Sequence, residues 1–170
     1  MRTVLPLSLL SLLVACSKGP DSADVCSVDG VTPGILTGQI DGVDWAAEET
    51  VWMYAGESLQ INTGTADGWR VSLVAQTDKD GNTIKAQMDA EAYPIHVILQ
   101  GSEGGGFVTL YADGSSDSYS STNAAGGELE LLRYEAGDTL VGCFNVDTAT
   151  EAGETATLSG AAFGARPSSL

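Results

Sequence analysis

Short runs of strand-forming residues, separated by turn residues, are the feature that most constrains the fold of this chain. From residue 34 onward, runs rich in Val, Ile, Leu, Thr, Tyr and Trp alternate with Gly, Asp and Asn at intervals of about 8–12 residues. Asp-Gly pairs such as Asp41-Gly42 and Asp80-Gly81 favour tight hairpins, because glycine tolerates positive φ. The pattern predicts an all-β domain: an antiparallel β-sandwich or, alternatively, a small β-barrel.

Period-two alternation, as in Val71, Leu73 and Ala75, indicates strands with one buried face. At one place a helix competes with a predicted strand: residues 86–92 (AQMDAEA) contain good helix formers. Residues 112–127 are predicted to be a long polar loop. We predict strands at 35–40, 43–47, 51–55, 58–62, 69–76, 83–88, 96–100, 107–111, 128–134, 139–146 and 155–163.

The N-terminal apolar run, 4–15, follows the positive charge of Arg2. As a helix it would reach about 18 Å, which is short of the roughly 30 Å hydrocarbon core of a bilayer. A charged start, a short apolar stretch and small residues at its end are typical of a secretory signal peptide. We therefore predict that 1–15 is cleaved, that 16–33 is a flexible tether, and that 34–170 is the folded domain.

The end of this run, Leu13-Val14-Ala15-Cys16, resembles the lipobox of bacterial lipoproteins. The resemblance implies diacylglycerol addition to the Cys16 sulfur, cleavage before Cys16, and acylation of the new N-terminus. Two or three acyl chains hold a protein on a bilayer, whereas one does so only marginally. Ser17 lacks the aspartate that resembles an inner-membrane retention signal, so we expect a lipid anchor in the outer membrane, on its periplasmic face or at the cell surface.

The acidity of the chain excludes some functions. Removal of Arg2 with the signal peptide changes the formal charge from −16 to −17. Nucleic-acid binding needs a basic surface, and so does electrostatic binding to anionic lipids. We expect no nucleic-acid partner and attribute the acidity to solubility rather than to cation binding.

Two cysteines, Cys26 and Cys143, remain once Cys16 is assigned to lipid. In an oxidising compartment an even pair favours a disulfide over a reactive thiol or a metal site. The bond would close a loop of about 117 residues, which is worth roughly 4–5 kcal/mol in the loop-entropy model.

A second resemblance covers most of the predicted domain. The stretch GQIDGVDWA, which begins at Gly38 and contains Trp45, resembles the opening motif Gly-x-hydrophobic-x-Gly-x-x-Trp-x-Ala of small exported β-sandwich domains of unknown function. In those domains the chain ends in a hairpin and a last strand, as at 127–146 and 156–165 here, although Cys143 stands where that family would have threonine. The resemblance implies a β-sandwich and supplies no catalytic residues.

Enzymatic chemistry has little support. His96 alternates with apolar neighbours in a predicted strand, which is typical of a structural histidine, and no Gly-x-Ser-x-Gly elbow exists. Carboxylate pairs such as Glu48-Glu49 are expected by chance in so acidic a chain. We predict a protein that is not an enzyme and needs no cofactor.

Two binding sites remain as hypotheses. Asp78, Asp80 and Asn82 place oxygen ligands at positions 1, 3 and 5 of a calcium-type loop, with Asp89 at position 12, although a polar hairpin tip explains the same residues. Three tryptophans fall in the first part of the domain. They would form either a carbohydrate-stacking platform or, as we favour, large anchors of the core: Trp45, Trp52 and Trp69.

The sequence thus predicts a lipid-anchored envelope lipoprotein that interacts with another envelope protein. The alternative is a carbohydrate- or Ca²⁺-binding module.

Overall fold

The computed structural model describes residues 31–100, 105–135 and 138–169. Cys16 and Cys26 therefore lie outside the described residues. Within them the chain forms a single short α-helix, α1 (Ile84–Asp89), a 3-10 turn (Ser121–Asn123), and the following strands: β1 (Leu36–Ile40), β2 (Val43–Ala47), β3 (Val51–Ala55), β4 (Ser58–Asn62), β5 (Trp69–Ala75), β6 (Ile95–Ile98), β7 (Gly106–Ala112), β8 (Ser118–Ser120), β9 (Gly126–Glu135), β10 (Thr139–Ala149) and β11 (Thr155–Pro167).

The strands belong to one large sheet in the order β2-β1-β11-β3-β4-β5-β7-β8-β10-β9-β6, with a further pairing of β10 with β11. The all-β class is confirmed; the sandwich and its barrel alternative stay predictions. The sheet is mixed, because the end of β11 runs parallel to the start of β3, with Arg166 opposite Val51 and Pro167 opposite Trp52. The other pairings between the named strands are antiparallel, as predicted.

The core lies on one side of the strands, where alternate residues are apolar. On β5, Val71, Leu73 and Ala75 are each at most 1 % exposed, while the residues between them are half-buried. We call the side of β10 that carries Leu140 and Phe144 the core side, and the opposite side the outer side. The predicted period of two is confirmed on β5 because its strand has one face against the core.

The predicted strand at 83–88 is wrong, because this segment contains helix α1. Ile84 and Met88 lie one helical turn apart and are both buried, so the segment meets the core with helical rather than strand periodicity. On the exposed side, Lys85 forms an i,i+4 ion pair with Asp89. The Tyr54 hydroxyl donates to the Met88 sulfur at 3.3 Å, which links the helix to β3.

The predicted polar loop at 112–127 contains strand β8 and the 3-10 turn. Ser121 is fully buried, and its hydroxyl accepts a hydrogen bond from the backbone N–H of Val108 at 3.0 Å. Part of this segment is therefore built into the sheet rather than solvated.

Two strands, β2 and β6, lie at the ends of the strand order and pair with one neighbour each. In the described part of the chain, no helix combines the length and the apolar character that crossing a membrane requires.

Candidate functional site

Cys143 lies on the outer side of β10. It pairs with Glu130 of β9 and Ala162 of β11, whereas its neighbour Phe144 points into the core. Val141, two residues earlier on the same side, is 2 % exposed and Cys143 is 1 % exposed. Both faces of β10 are therefore covered at this point, although only one of them meets the core.

The segment before β1 crosses the outer side close to this position. Gly164 pairs with Val141, and a Cβ atom at Gly164 would lie 3.0 Å from both the Thr32 oxygen and the Val31 side chain. Pro33 forms a parallel bridge with Gly164. Val141 lies two residues before Cys143 on β10, and the chain that leads back toward Cys26 therefore passes close to Cys143. The Cys26–Cys143 pairing itself stays a prediction.

Trp45, on β2, is a core residue. Its side chain is 5 % exposed, and its indole N–H donates to the Ala66 carbonyl at 2.8 Å. A ring that is so deeply buried offers no face on which a sugar could stack.

Trp52 and Trp69 are half-buried and pack against the core. Trp52 meets Tyr54 edge-on at 5.6 Å, and its indole N–H donates to the Asp138 carbonyl at 3.0 Å. Trp69 packs against Tyr119 at 5.5 Å. Each ring therefore already has an aromatic partner within the fold.

The hypothetical calcium ligands Asp78, Asp80 and Asn82 form a tight turn. One Asp78 carboxylate oxygen accepts from the backbone N–H groups of Asp80 and Asn82 at 2.9 and 2.8 Å, and the other accepts from the Asn82 side-chain amide at 2.9 Å. Burial alone would raise the pKa of Asp78. Hydrogen bonds from Asn82, Asp80 and Gly81 outweigh that effect and hold the pKa below its usual value.

Asp89, the hypothetical twelfth ligand, pairs instead with Lys85 on helix α1. Among the described residues, no three His, Cys, Asp or Glu side chains are grouped so that they could hold a metal ion. The hydrogen bonds between Asp78 and Asn82 thus give these two residues a structural role at the tip of a hairpin.

His96 lies on β6 and is 47 % exposed, opposite Glu130 of β9. Its Nε2 is 3.8 Å from a Glu130 carboxylate oxygen, so the two form an ion pair only when the imidazole is protonated. They line a cavity of about 350 Å³ together with Lys79 and Glu128. The backbone N–H of Lys79 donates to the His96 carbonyl at 2.8 Å, so the turn beyond Asp78 covers part of this edge.

Sequence reasoning missed the open edge of β2. The two-residue turn at Asp41 and Gly42, with φ of 51° and 79°, makes Ile40 and Val43 a hydrogen-bonded pair. The alternation of an antiparallel ladder then directs the N–H and C=O groups of Asp44 and Ala46 away from β1. Within residues 31–100, 105–135 and 138–169, these outward groups have no backbone partner.

Carboxylates surround this edge. Two adjoining cavities of about 640 and 430 Å³ share Ala46 and Asp67. The first also contains Asp44, and the second contains Glu48 and Glu49; neither is lined by a Lys, Arg or His. The Asp-Gly signal of the β1–β2 hairpin was visible in the sequence, but its place at the sheet edge depends on the long-range pairing of β1 with β11.

The chain matches no family model, and neither a curated protein nor a solved structure is significantly similar to it.

Proposed function

We propose that this chain is a lipid-anchored lipoprotein of the outer membrane that acts by binding another envelope protein and catalyses no reaction. The observation that carries the proposal is Leu13-Val14-Ala15-Cys16 at the end of the apolar run. A cysteine in that position is suited to carry acyl chains, whose burial contributes about 0.8 kcal/mol per methylene.

Two features of the fold support an anchored domain. The chain joins the sheet at Pro33 and Gly34, whose backbones pair with Gly164, so the tether that would connect the folded part to Cys16 ends at this point of the sheet. Cys143 is buried on the side that the segment before β1 crosses. A Cys26–Cys143 bond would shorten the tether to the residues between Cys16 and Cys26.

The alternative binding module has weaker support. A carbohydrate platform would need exposed indole faces, and Trp45 is 5 % exposed. A calcium loop would require Asp78 to exchange its hydrogen bonds with Asp80 and Asn82 for metal contacts. A rise in melting temperature in millimolar Ca²⁺ that Asp80→Ala abolishes would favour that module.

Fractionation of cells tests the anchor. Wild-type protein should sediment with outer membranes, resist extraction by high salt, and be released by detergent. Cys16→Ala should be uncleaved or soluble, whereas Cys26→Ser, the matched cysteine control, should fractionate like wild type. Salt-extractable wild-type protein, or a Cys16→Ala variant that fractionates like wild type, would overturn the proposal.

A further inference from the structure

The open edge of β2 combines three properties of a site for strand addition. The outward backbone groups of Asp44 and Ala46 are free to extend the ladder, and both residues are exposed. Val43, at the start of the strand, is 69 % exposed. Sheet edges are usually protected from added strands by charged side chains, proline or a covering segment. β2 contains no proline, and its one charged side chain is that of Asp44, so a strand that pairs here must offset a negative charge. The nearby segment 64–67 bonds here through the Ala66 carbonyl, which accepts from the Trp45 indole N–H at 2.8 Å, and through Gly64, which donates to the Glu48 carbonyl at 3.2 Å. Neither bond uses the outward backbone groups of Asp44 or Ala46.

We propose that this edge binds an extended segment of a partner protein in which Lys or Arg alternates with apolar residues. The proposal rests on the proposed interaction function and names the surface that serves it. Backbone hydrogen bonds to Asp44 and Ala46 supply a sequence-independent part of the affinity, as in other cases of strand addition.

Charge selects the side chains of the added strand. Neighbouring strands place paired side chains on the same face, so alternate residues of the segment lie beside Asp44 and Ala46, close to Asp67. Basic residues at those positions face carboxylates, with no basic residue lining either cavity. The intervening residues lie on the side of Val43, where apolar side chains cover its exposed surface.

A second copy of this chain is a poorer occupant. Pairing of two β2 strands would bring the acidic edge of one copy against that of the other, and like charges directly opposite each other destabilise a sheet. The formal charge of −16 adds repulsion at long range.

The test uses the full chain in detergent and a synthetic hexapeptide of alternating lysine and valine, with binding followed by calorimetry. We expect saturable binding that weakens with added salt. A glutamate–valine hexapeptide should not bind. A lysine–valine peptide that is N-methylated at every residue should also not bind, because it lacks the backbone donors on both edges.

Two double variants locate the site. Asp44→Asn with Asp67→Asn should weaken binding by about fivefold, because two facing carboxylates are neutralised. The matched control, Glu57→Gln with Glu151→Gln, removes the same charge from exposed turns that do not line these cavities and should leave the Kd within about twofold. Ala46→Pro removes an outward N–H and should abolish binding.

Equal weakening by both double variants, or equal binding of the N-methylated peptide, would show non-specific attraction and overturn the proposal, as would a lack of binding. These results are independent of Cys16. If the protein binds the peptide but carries no acyl chain, the β2 site stands and the lipid anchor is refuted. If the protein is acylated but does not bind the peptide, the anchor stands and the β2 site is refuted.

Discussion

Cys143 and Phe144 are consecutive residues of β10 that point to opposite sides of the sheet, and neither is more than 1 % exposed. Phe144 is covered by the core. Cys143 is covered on the outer side, which the segment at Val31 and Thr32 crosses at Gly164. Burial of Cys143 beside the chain that leads back toward Cys26 is compatible with the predicted Cys26–Cys143 pairing.

We predict that reduction of the Cys26–Cys143 bond lowers the free energy of unfolding by about 4–5 kcal/mol, because it releases a loop of about 117 residues in the unfolded chain. Urea titrations with and without reductant measure the difference. Cys26→Ser should show the low value in both conditions. Wild-type protein that is indifferent to reductant would contradict the pairing.

Gly142 should not accept a side chain. A Cβ atom there would lie 2.6 Å from the Phe163 ring and 2.6 Å from the Glu130 carbonyl oxygen. Gly142→Ala is therefore expected to lower the free energy of unfolding by about 2–3 kcal/mol through overpacking.

The Phe163 contact can be isolated by a double-mutant cycle in urea denaturation. Part of the cost of Gly142→Ala should disappear when Phe163 is also changed to Leu, which removes ring atoms from the contact. An alanine variant as stable as wild type would contradict the packing described for Gly142.

Asp78 is expected to stabilise its hairpin through hydrogen bonds rather than through metal binding. Asp78→Ala should lower the free energy of unfolding by about 1 kcal/mol at neutral pH, because the N–H groups of Asp80 and Asn82 lose their acceptor. Asp80→Ala, whose carboxylate has no such role, serves as the matched control and should cost less.

The contribution of Asp78 should depend on pH in one direction. Its pKa is lowered in the folded state, so the stabilisation is fully present above the ordinary aspartate value of about 3.9 and is lost as the pH falls through the lower folded-state value. The urea midpoints of wild type and Asp78→Ala should therefore stay apart at neutral pH and converge as the pH falls below the ordinary aspartate value. A difference that instead grows on acidification would contradict the turn geometry.

Trp45 is expected to be the tryptophan best protected from solvent. A variant that retains only Trp45, with Phe at positions 52 and 69, should emit at shorter wavelength and be quenched less by acrylamide than one that retains only Trp69. Acrylamide is preferred to iodide, which the negative charge of the protein repels. Equal quenching of both variants would contradict the burial of Trp45.

Local patterns predicted most of the strands well. The bounds of β2, β3 and β4 match the sequence prediction, because each strand is short and is closed by turn residues such as Asp41-Gly42. Helix α1 was predicted only as the rival to a strand, over 86–92, although its sequence contains helix formers, a buried i,i+4 pair at Ile84 and Met88, and an ion pair one turn apart. That periodicity was the usable signal.

Other features depend on contacts between distant parts of the chain. Strand β8 consists of Ser118, Tyr119 and Ser120 and has no apolar alternation; it is a strand because β7 and β10 lie beside it. The parallel pairing of Arg166 with Val51 and the open edge at Asp44 likewise follow from the strand order. The pattern of residues within a strand does not indicate whether that strand lies at the edge of the sheet or in its interior.

The mass of the N-terminal peptide of the mature protein, isolated from membranes, tests the central claim most directly. We predict a peptide that begins at Cys16 and carries a diacylglycerol on its sulfur, with a further acyl chain on its amino group. A mature peptide that begins elsewhere, or a Cys16 that carries no lipid, would contradict a lipid-anchored protein.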